Sequence, residues 1–249
     1  MPVTRNVAWD GRLESFKGRD TAQYVLTAAS MASACAACRA PLDPGEPLSL
    51  LVNVTESTAP DGTNYVTFTD CVYHSGCSGP GLSVQRSQWA PSELTPVAAR
   101  MVLTQLSSDG QERPVPVLAY TLVPVVAFRE GDGDLTSALV SVLLFHGFQL
   151  AVTPDFGGIV GDVAETAASC TMAVDPEGLM TFSIGGRLFF RDRLPPESPD
   201  DALWLEAVSG SDHVLVISGD NLVITNTGLD TRHAAVQGTL VIGAVRIHR

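Results

Sequence analysis

The chain has 249 residues, of which 45% are hydrophobic and 17% charged, and its formal net charge is −12. This composition supports a packed core and excludes global disorder. The acidic balance disfavours binding to nucleic acid or to an anionic membrane, because both of these partners are themselves negatively charged.

The N-terminal sequence predicts neither export nor membrane insertion. MPVTRNVAWDGRL lacks the apolar core of a secretory signal, and the chain contains no run of about 18 apolar residues. We therefore expect a cytoplasmic protein. The next segment, TAQYVLTAASMASA at residues 21–34, predicts a helix that leads into a cluster of cysteines.

This cluster has the spacing of a metal site. CAAC supplies Cys35 and Cys38, and DCVYHSGC supplies His74 and Cys77 after a long spacer, with Cys71 nearby. In a chain without an export signal, clustered cysteines favour metal binding over disulfides. Zinc prefers four thiolate or imidazole ligands in a tetrahedron, and two pairs with two intervening residues can provide them. We predict a zinc site at Cys35, Cys38, His74 and Cys77, with Cys71 as the alternative third ligand.

The spacer between the two pairs predicts a β-hairpin. EPLSLLVNVT at residues 46–55 and NYVTFTD at residues 64–70 both alternate between apolar and polar positions, and APDGT between them is a turn sequence. Such a hairpin returns the second ligand pair to the first, with its loop pointing away from the metal.

The pattern CAACRAPLDPGEP…CVYHSGC resembles the layout of treble-clef-like zinc fingers, which LIM domains and the PARP-type finger share. The resemblance covers residues 35–77 only, and the spacer is longer than is usual in either family. It implies a structural metal and a finger that binds a protein partner or, in the PARP type, broken DNA. The flanking sequence has few basic residues, chiefly Arg39 and Arg86, among several acidic ones, and DNA binding is therefore disfavoured.

Four protein ligands also argue against chemistry at the metal. A catalytic zinc keeps one coordination position open for water, whereas a closed site contributes to folding. The zinc is therefore predicted to fasten a small hairpin module with little core of its own.

Two further segments follow the cysteine cluster. Residues 78–90 contain several Gly and Pro residues and are predicted to form a linker. SELTPVAARMVLTQL at residues 92–106 predicts a helix, with Ser92 as its cap and Pro96 in its first turns.

The whole chain is predicted to have an α+β fold. Residues 1–90 are assigned to the N-terminal segment and the zinc-stapled hairpin module. Residues 91–249 are assigned to a mainly antiparallel sheet covered by two or three helices. Two stretches of this second part, residues 134–193 and 200–249, each contain an acidic start, a helical segment and an apolar strand, which indicates a weak internal repeat.

Several carboxylates after apolar segments define an alternative function. Asp155 and Asp220 follow predicted strands, and Asp162 and Glu165 lie close to Asp155 along the chain. A pair of carboxylates can bind Mg²⁺ or act as acid and base, although aspartate beside glycine or proline is more often a turn former.

Two functional hypotheses result. The first is a non-catalytic, cytoplasmic zinc-binding protein that acts through contacts with a protein partner. The alternative is a hydrolase or nuclease in which the finger is an accessory and the carboxylates form the active site. The first is favoured, because the most specific motif in the sequence is structural.

Overall fold

The computed structural model describes residues 1–59, 62–88, 94–106, 112–129, 135–153, 163–195, 197–225 and 228–248. Its elements, in chain order, are β1 (Val3–Thr4), β2 (Val7–Ala8), α1 (Glu14–Lys17), α2 (Thr21–Met31), β3 (Leu48–Thr58), β4 (Asn64–His74), β5 (Gly81–Gln88), β6 (Thr95–Leu106), β7 (Glu112–Val123), β8 (Val125–Arg129), β9 (Leu135–Ser137), α3 (Ala138–Phe145), β10 (Gln149–Leu150), β11 (Cys170–Val174), β12 (Leu179–Ile184), β13 (Arg187–Arg193), α4 (Pro199–Ser209), β14 (His213–Ser218), β15 (Val223–Thr225), β16 (Gly228–Asp230), α5 (Arg232–Val236) and β17 (Val241–His248). The mixture of sheets and helices confirms the predicted α+β class.

The chain divides into two compact units. The first contains residues 1–94 and 124–138, and the second contains residues 95–123 and 139–249. Residues 124–138 thus belong to the first unit, whereas the sequence analysis places them beyond a boundary at residue 90. Strands β8 and β9 account for this return, because β8 pairs with β4 and β9 pairs with β8.

The sheet of the first unit is built around β3. Its neighbour on one side is β4, paired along all of β3 from Leu48↔His74 to Thr58↔Asn64, which confirms the predicted hairpin. On the other side, β2 and then β5 run parallel to β3. The residues predicted as a linker therefore include a strand. Because β4 and β5 flank β3 on opposite sides, the chain between them crosses the N-terminal end of β3.

Alternating apolar residues of β3 form the core of the first unit. Leu48, Leu50, Val52 and Val54 are all buried, as expected for one face of a strand with a period of two. Helix α2 covers this face with Tyr24, Val25 and Ala28, which share one side of the helix. Burial of each such side chain stabilises the fold by roughly 1.5–3 kcal/mol.

The second unit is built on a sheet of order β13-β12-β11-β17-β14-β7-β6, with β10 also paired to β17. Two of its pairings, β11 with β17 and β14 with β7, are parallel and the others are antiparallel, which confirms a mainly antiparallel sheet. Helices α3 and α4 pack into the apolar cluster on one face, and α5 packs into the cluster on the other. The predicted helix over residues 92–106 is wrong, because β6 pairs with β7 along all twelve of its residues.

The two end strands of this sheet are joined through one side chain. Arg100 on β6 lies 2.6 Å from the carboxylate of Asp192 on β13 and 3.0 Å from that of Asp201 on α4. Since β6 and β13 are the first and last strands in the sheet order, the sheet curls until its ends share this arginine. Trp204 of α4 is buried and donates its indole N–H to the Val117 carbonyl at 3.0 Å.

Candidate metal centre

The first ligand pair lies on a tight loop before β3. Ala34 and Pro41 form a β-bridge that closes the loop, and inside it the Cys35 N–H donates to the Ala40 carbonyl at 2.8 Å. Arg39, directly after Cys38, has φ of +64°, a left-handed conformation that is unfavourable for a residue with a side chain. This turn directs the sulfurs of Cys35 and Cys38 to one side of the loop.

The second pair lies where the chain leaves β4. His74 is the last residue of that strand, and the Cys77 N–H donates to the His74 carbonyl at 2.8 Å. The two loops are tied together because the Ala36 N–H donates to the Val72 carbonyl at 3.0 Å. The pairing of Leu48 with His74 then fixes the second pair beside the chain that follows the first.

The four predicted ligands converge. The sulfurs of Cys35, Cys38 and Cys77 and one ring nitrogen of His74 all lie within 4.8 Å of one another. His74 Nδ1 is 3.5 Å from the Cys38 sulfur and 3.9 Å from the Cys77 sulfur. A tetrahedral metal with bonds of about 2.3 Å to sulfur and about 2.05 Å to nitrogen separates these atoms by roughly 3.6 Å. The group could therefore hold a metal ion with little rearrangement.

A backbone carbonyl orients the histidine. His74 Nε2 lies 3.1 Å from the Pro41 carbonyl oxygen, which can only accept a hydrogen bond, so Nε2 carries the proton. Nδ1 is then the nitrogen that faces the sulfurs with its lone pair. Such a second contact holds a metal-binding histidine in one tautomer and orientation. Sequence reasoning missed Pro41, although its position three residues after Cys38 places it in the first loop.

The surroundings favour a thiolate at Cys35. Burial raises the pKa of the Cys35 thiol, but hydrogen bonds from the backbone at Cys38, His74 and Ala37 outweigh it and bring the pKa to about 6. The contact with the Cys38 sulfur raises the pKa of His74, and the same sulfur is the main reason that the pKa of Cys77 rises to about 11. One thiolate is thus present at neutral pH, whereas Cys77 releases its proton as a metal binds.

Cys71 is not among the converging ligands. It lies within β4, opposite Leu51 on β3, and the group of four is complete without it. The structure therefore favours His74 over Cys71 as the third ligand.

The predicted carboxylates are placed only in part. Asp155 and Asp162 lie outside the described residues. Glu165 is 3.3 Å from His213 Nε2, at the start of β14, whereas Asp220 is buried just beyond the other end of that strand. A six-residue strand spans roughly 20 Å, so Glu165 and Asp220 do not share a site. The part of the site that involves Asp155 and Asp162 stays a prediction.

Comparison of the chain with models of protein families, with curated proteins and with solved structures gives no match in any of the three. The LIM or PARP type of the finger therefore stays a prediction. Each helix in the described parts of the chain is too short or too polar to cross a membrane.

Proposed function

We propose that this protein is a non-catalytic zinc-binding protein that acts through contacts with a protein partner, and that its zinc is structural. The observation that carries the proposal is the convergence of three sulfurs and one imidazole nitrogen within 4.8 Å. Sulfur and imidazole ligands in a tetrahedron are the preferred surroundings of zinc, and a set of four protein ligands has no position for a reacting water.

The position of the ligands supports a structural role. They belong to the loop before β3, the end of β4 and the chain that leads to β5. A metal there would join these three segments to one another. Without it, they are connected by backbone hydrogen bonds near the N-terminal end of β3. Metal binding of this kind contributes directly to folding free energy.

The proposed contact with a protein rests on charge and exposure. A net charge of −12 opposes association with nucleic acid. Cys38 and Cys77 are exposed, so the two loops that carry them present backbone and ligand surface to a partner.

Metal analysis tests the zinc. We expect about one zinc per chain in purified protein, with the zinc lost from Cys38→Ser and retained in Cys71→Ser, the matched control. Zinc far below one per chain in the wild type, or equal retention in both variants, would contradict the ligand assignment.

Affinity capture from the native host tests the partner. The wild type and the Cys71→Ser variant should recover the same protein, and Cys38→Ser should lose it. If no protein is recovered reproducibly with the wild type, the contact role is wrong while the zinc assignment stands.

A further inference from the structure

A polar cleft lies at the end of β3 remote from the metal centre. Its volume is about 750 Å³, and its lining comes from α1 and from the adjoining ends of β3, β4 and β5. This volume falls within the range of small-molecule sites, about 300–1,000 Å³. Within β3, the metal end at Leu48 and the cleft end at Thr58 are separated by roughly 30 Å.

The cleft begins where the core pattern of the sheet breaks. Val54 continues the alternation of buried residues along β3, but the next residue in that series is Glu56. In the sheet, Glu56 lies beside Arg86 on β5 and Val66 on β4. Glu56 and Arg86 thus occupy positions at which the alternating pattern of β3 and β5 predicts apolar residues. Departures of this kind are expected at functional sites.

The two charges in the cleft are close but loosely paired. Arg86 Nε is 3.5 Å from a Glu56 carboxylate oxygen, and their side chains are 90% and 38% exposed. A carboxylate has about four acceptor positions and a guanidinium five donors, so most of their hydrogen-bonding capacity remains for a ligand. Because the two charges are opposite and adjacent, a ligand with a single net charge would be attracted to one and repelled by the other, and a small zwitterion could pair with both but would leave the hydroxyl and amide groups of the lining unused.

The remaining lining is rich in hydroxyl and amide groups. The Thr58 hydroxyl donates to the Asn64 side-chain oxygen at 2.8 Å, so the oxygen of this amide is engaged and its nitrogen can act only as a donor. Phe16 supplies an aromatic surface and is held by edge-to-face packing on Phe68, with ring centroids 6.3 Å apart. Tyr65 adds a second aromatic ring to the lining.

From this arrangement we infer that the cleft binds a neutral, polyhydroxylated ligand of the saccharide class. Adjacent hydroxyls on a sugar act as donor and acceptor together, so one can donate to Glu56 while its neighbour accepts from Arg86. The apolar face of a sugar ring matches an aromatic side chain such as Phe16. The site is separate from the metal centre and does not depend on the proposed zinc role.

Saturation-transfer NMR on the full, metal-loaded chain tests this inference. The probes are the neutral trisaccharides maltotriose, cellotriose and triacetylchitotriose, with diglycine as a zwitterion and glucose 6-phosphate as an anion. We expect saturable binding of at least one neutral trisaccharide, and none of the zwitterion or the anion.

Variants then locate the binding. Arg86→Gln removes the positive charge of the cleft and reduces the N–H donors at this position from about five to two, and should weaken the binding about tenfold. Arg19→Gln, an exposed arginine of the same unit outside the lining, is the matched control and should bind as the wild type does. Thermal melting of both variants establishes that they are folded.

Three results would overturn the inference. One is a failure of all three trisaccharides to bind. Another is binding of diglycine or glucose 6-phosphate in their place. The third is equal binding by the wild type and a folded Arg86→Gln variant, which would place the trisaccharide elsewhere on the chain.

Discussion

The same local arrangement of aspartate and arginine occurs twice, before the 3-10 helix Gly11–Leu13 and before α5. Asp10 accepts from the Arg12 N–H at 3.0 Å, and Asp230 accepts from the Arg232 N–H at 3.0 Å. In both cases the arginine side chain turns back to the same carboxylate. The hydrogen bonds from Arg232 lower the pKa of Asp230 to about 2. A D-x-R sequence therefore supplies both an acceptor for a backbone N–H at the start of a helix and a partner for the charge of that acceptor.

Asp230→Asn tests how much the charge of this carboxylate contributes. We expect the free energy of unfolding to fall by up to about 1 kcal/mol at pH 7, the usual order for an exposed ion pair, because asparagine still accepts the N–H but loses the ion pair. The folded pKa is below the unfolded value of about 3.9, so the stabilisation is present above about pH 5 and is lost as the pH falls towards 2.

Urea unfolding of the wild type and the variant at pH 7 and pH 3 measures this effect. The difference between them should shrink by about half at pH 3, and any loss of metal in acid is common to both proteins. Asp212→Asn, at an exposed aspartate of the same unit, is the control. A difference that stays constant between the two pH values would mean that the charge contributes nothing.

Strand β17 has neighbours along both of its edges. It pairs with β14 on one side, and on the other it meets β10, the bridge from Glu165 to Ala244, and β11. On that side, Phe148 and Thr166 can approach the backbone of β17 closely because Gly243 has no side chain. A methyl group at Gly243 would lie 2.4 Å from Thr166 Cγ2 and 2.9 Å from the Phe148 ring.

Gly243→Ala should therefore destabilise the second unit by about 1–3 kcal/mol, the usual cost of overpacking. Gly228→Ala is the matched control, since nothing lies within 4 Å of an added Cβ there. Urea unfolding of both variants gives the comparison. Equal stability of the two would show that Phe148 and Thr166 move aside at little cost.

The elements also show how far the sequence leads. The alternation of apolar and polar residues was sufficient to predict the β3–β4 hairpin. The spacing of the cysteines and the histidine was sufficient to predict the four residues that converge. The helix predicted over residues 92–106 was wrong because the apolar residues there fit the period of a helix as well as that of a strand. Hydrogen bonding to β7 makes this segment a strand. The linker at residues 78–90 failed similarly, because β5 is held as a strand by β3, some thirty residues earlier in the chain. The cleft depends on register between three strands, which no local pattern contains.

At the scale of the whole molecule, the two units have separate cores. Among the residues that the structure describes, the apolar cluster around β3 and α2 shares none with the two clusters of the second unit. The metal ligands all lie in the first unit. Metal binding should therefore stabilise one unit by mass action and leave the other unchanged.

Removal of the metal by a chelator at neutral pH tests this separation. We expect amide exchange in β3, β4 and β5 to accelerate by about tenfold or more, because metal binding contributes to the folding of that unit. Exchange in β14 and β17 should stay as it was. Hydrogen-exchange mass spectrometry resolves these segments, and Cys71→Ser protein provides the control. Equal acceleration in both units would mean that they unfold together.

The position of β17 has a consequence for biosynthesis. This strand contains the last described residues of the chain, yet it lies between β11 and β14 in the interior of its sheet. During translation, β11 to β13 and β6 with β7 exist before the strand that joins them. The ribosome must therefore synthesise the chain through β17 before the second unit can close, and until then the apolar edges of β11 and β14 are exposed to aggregation.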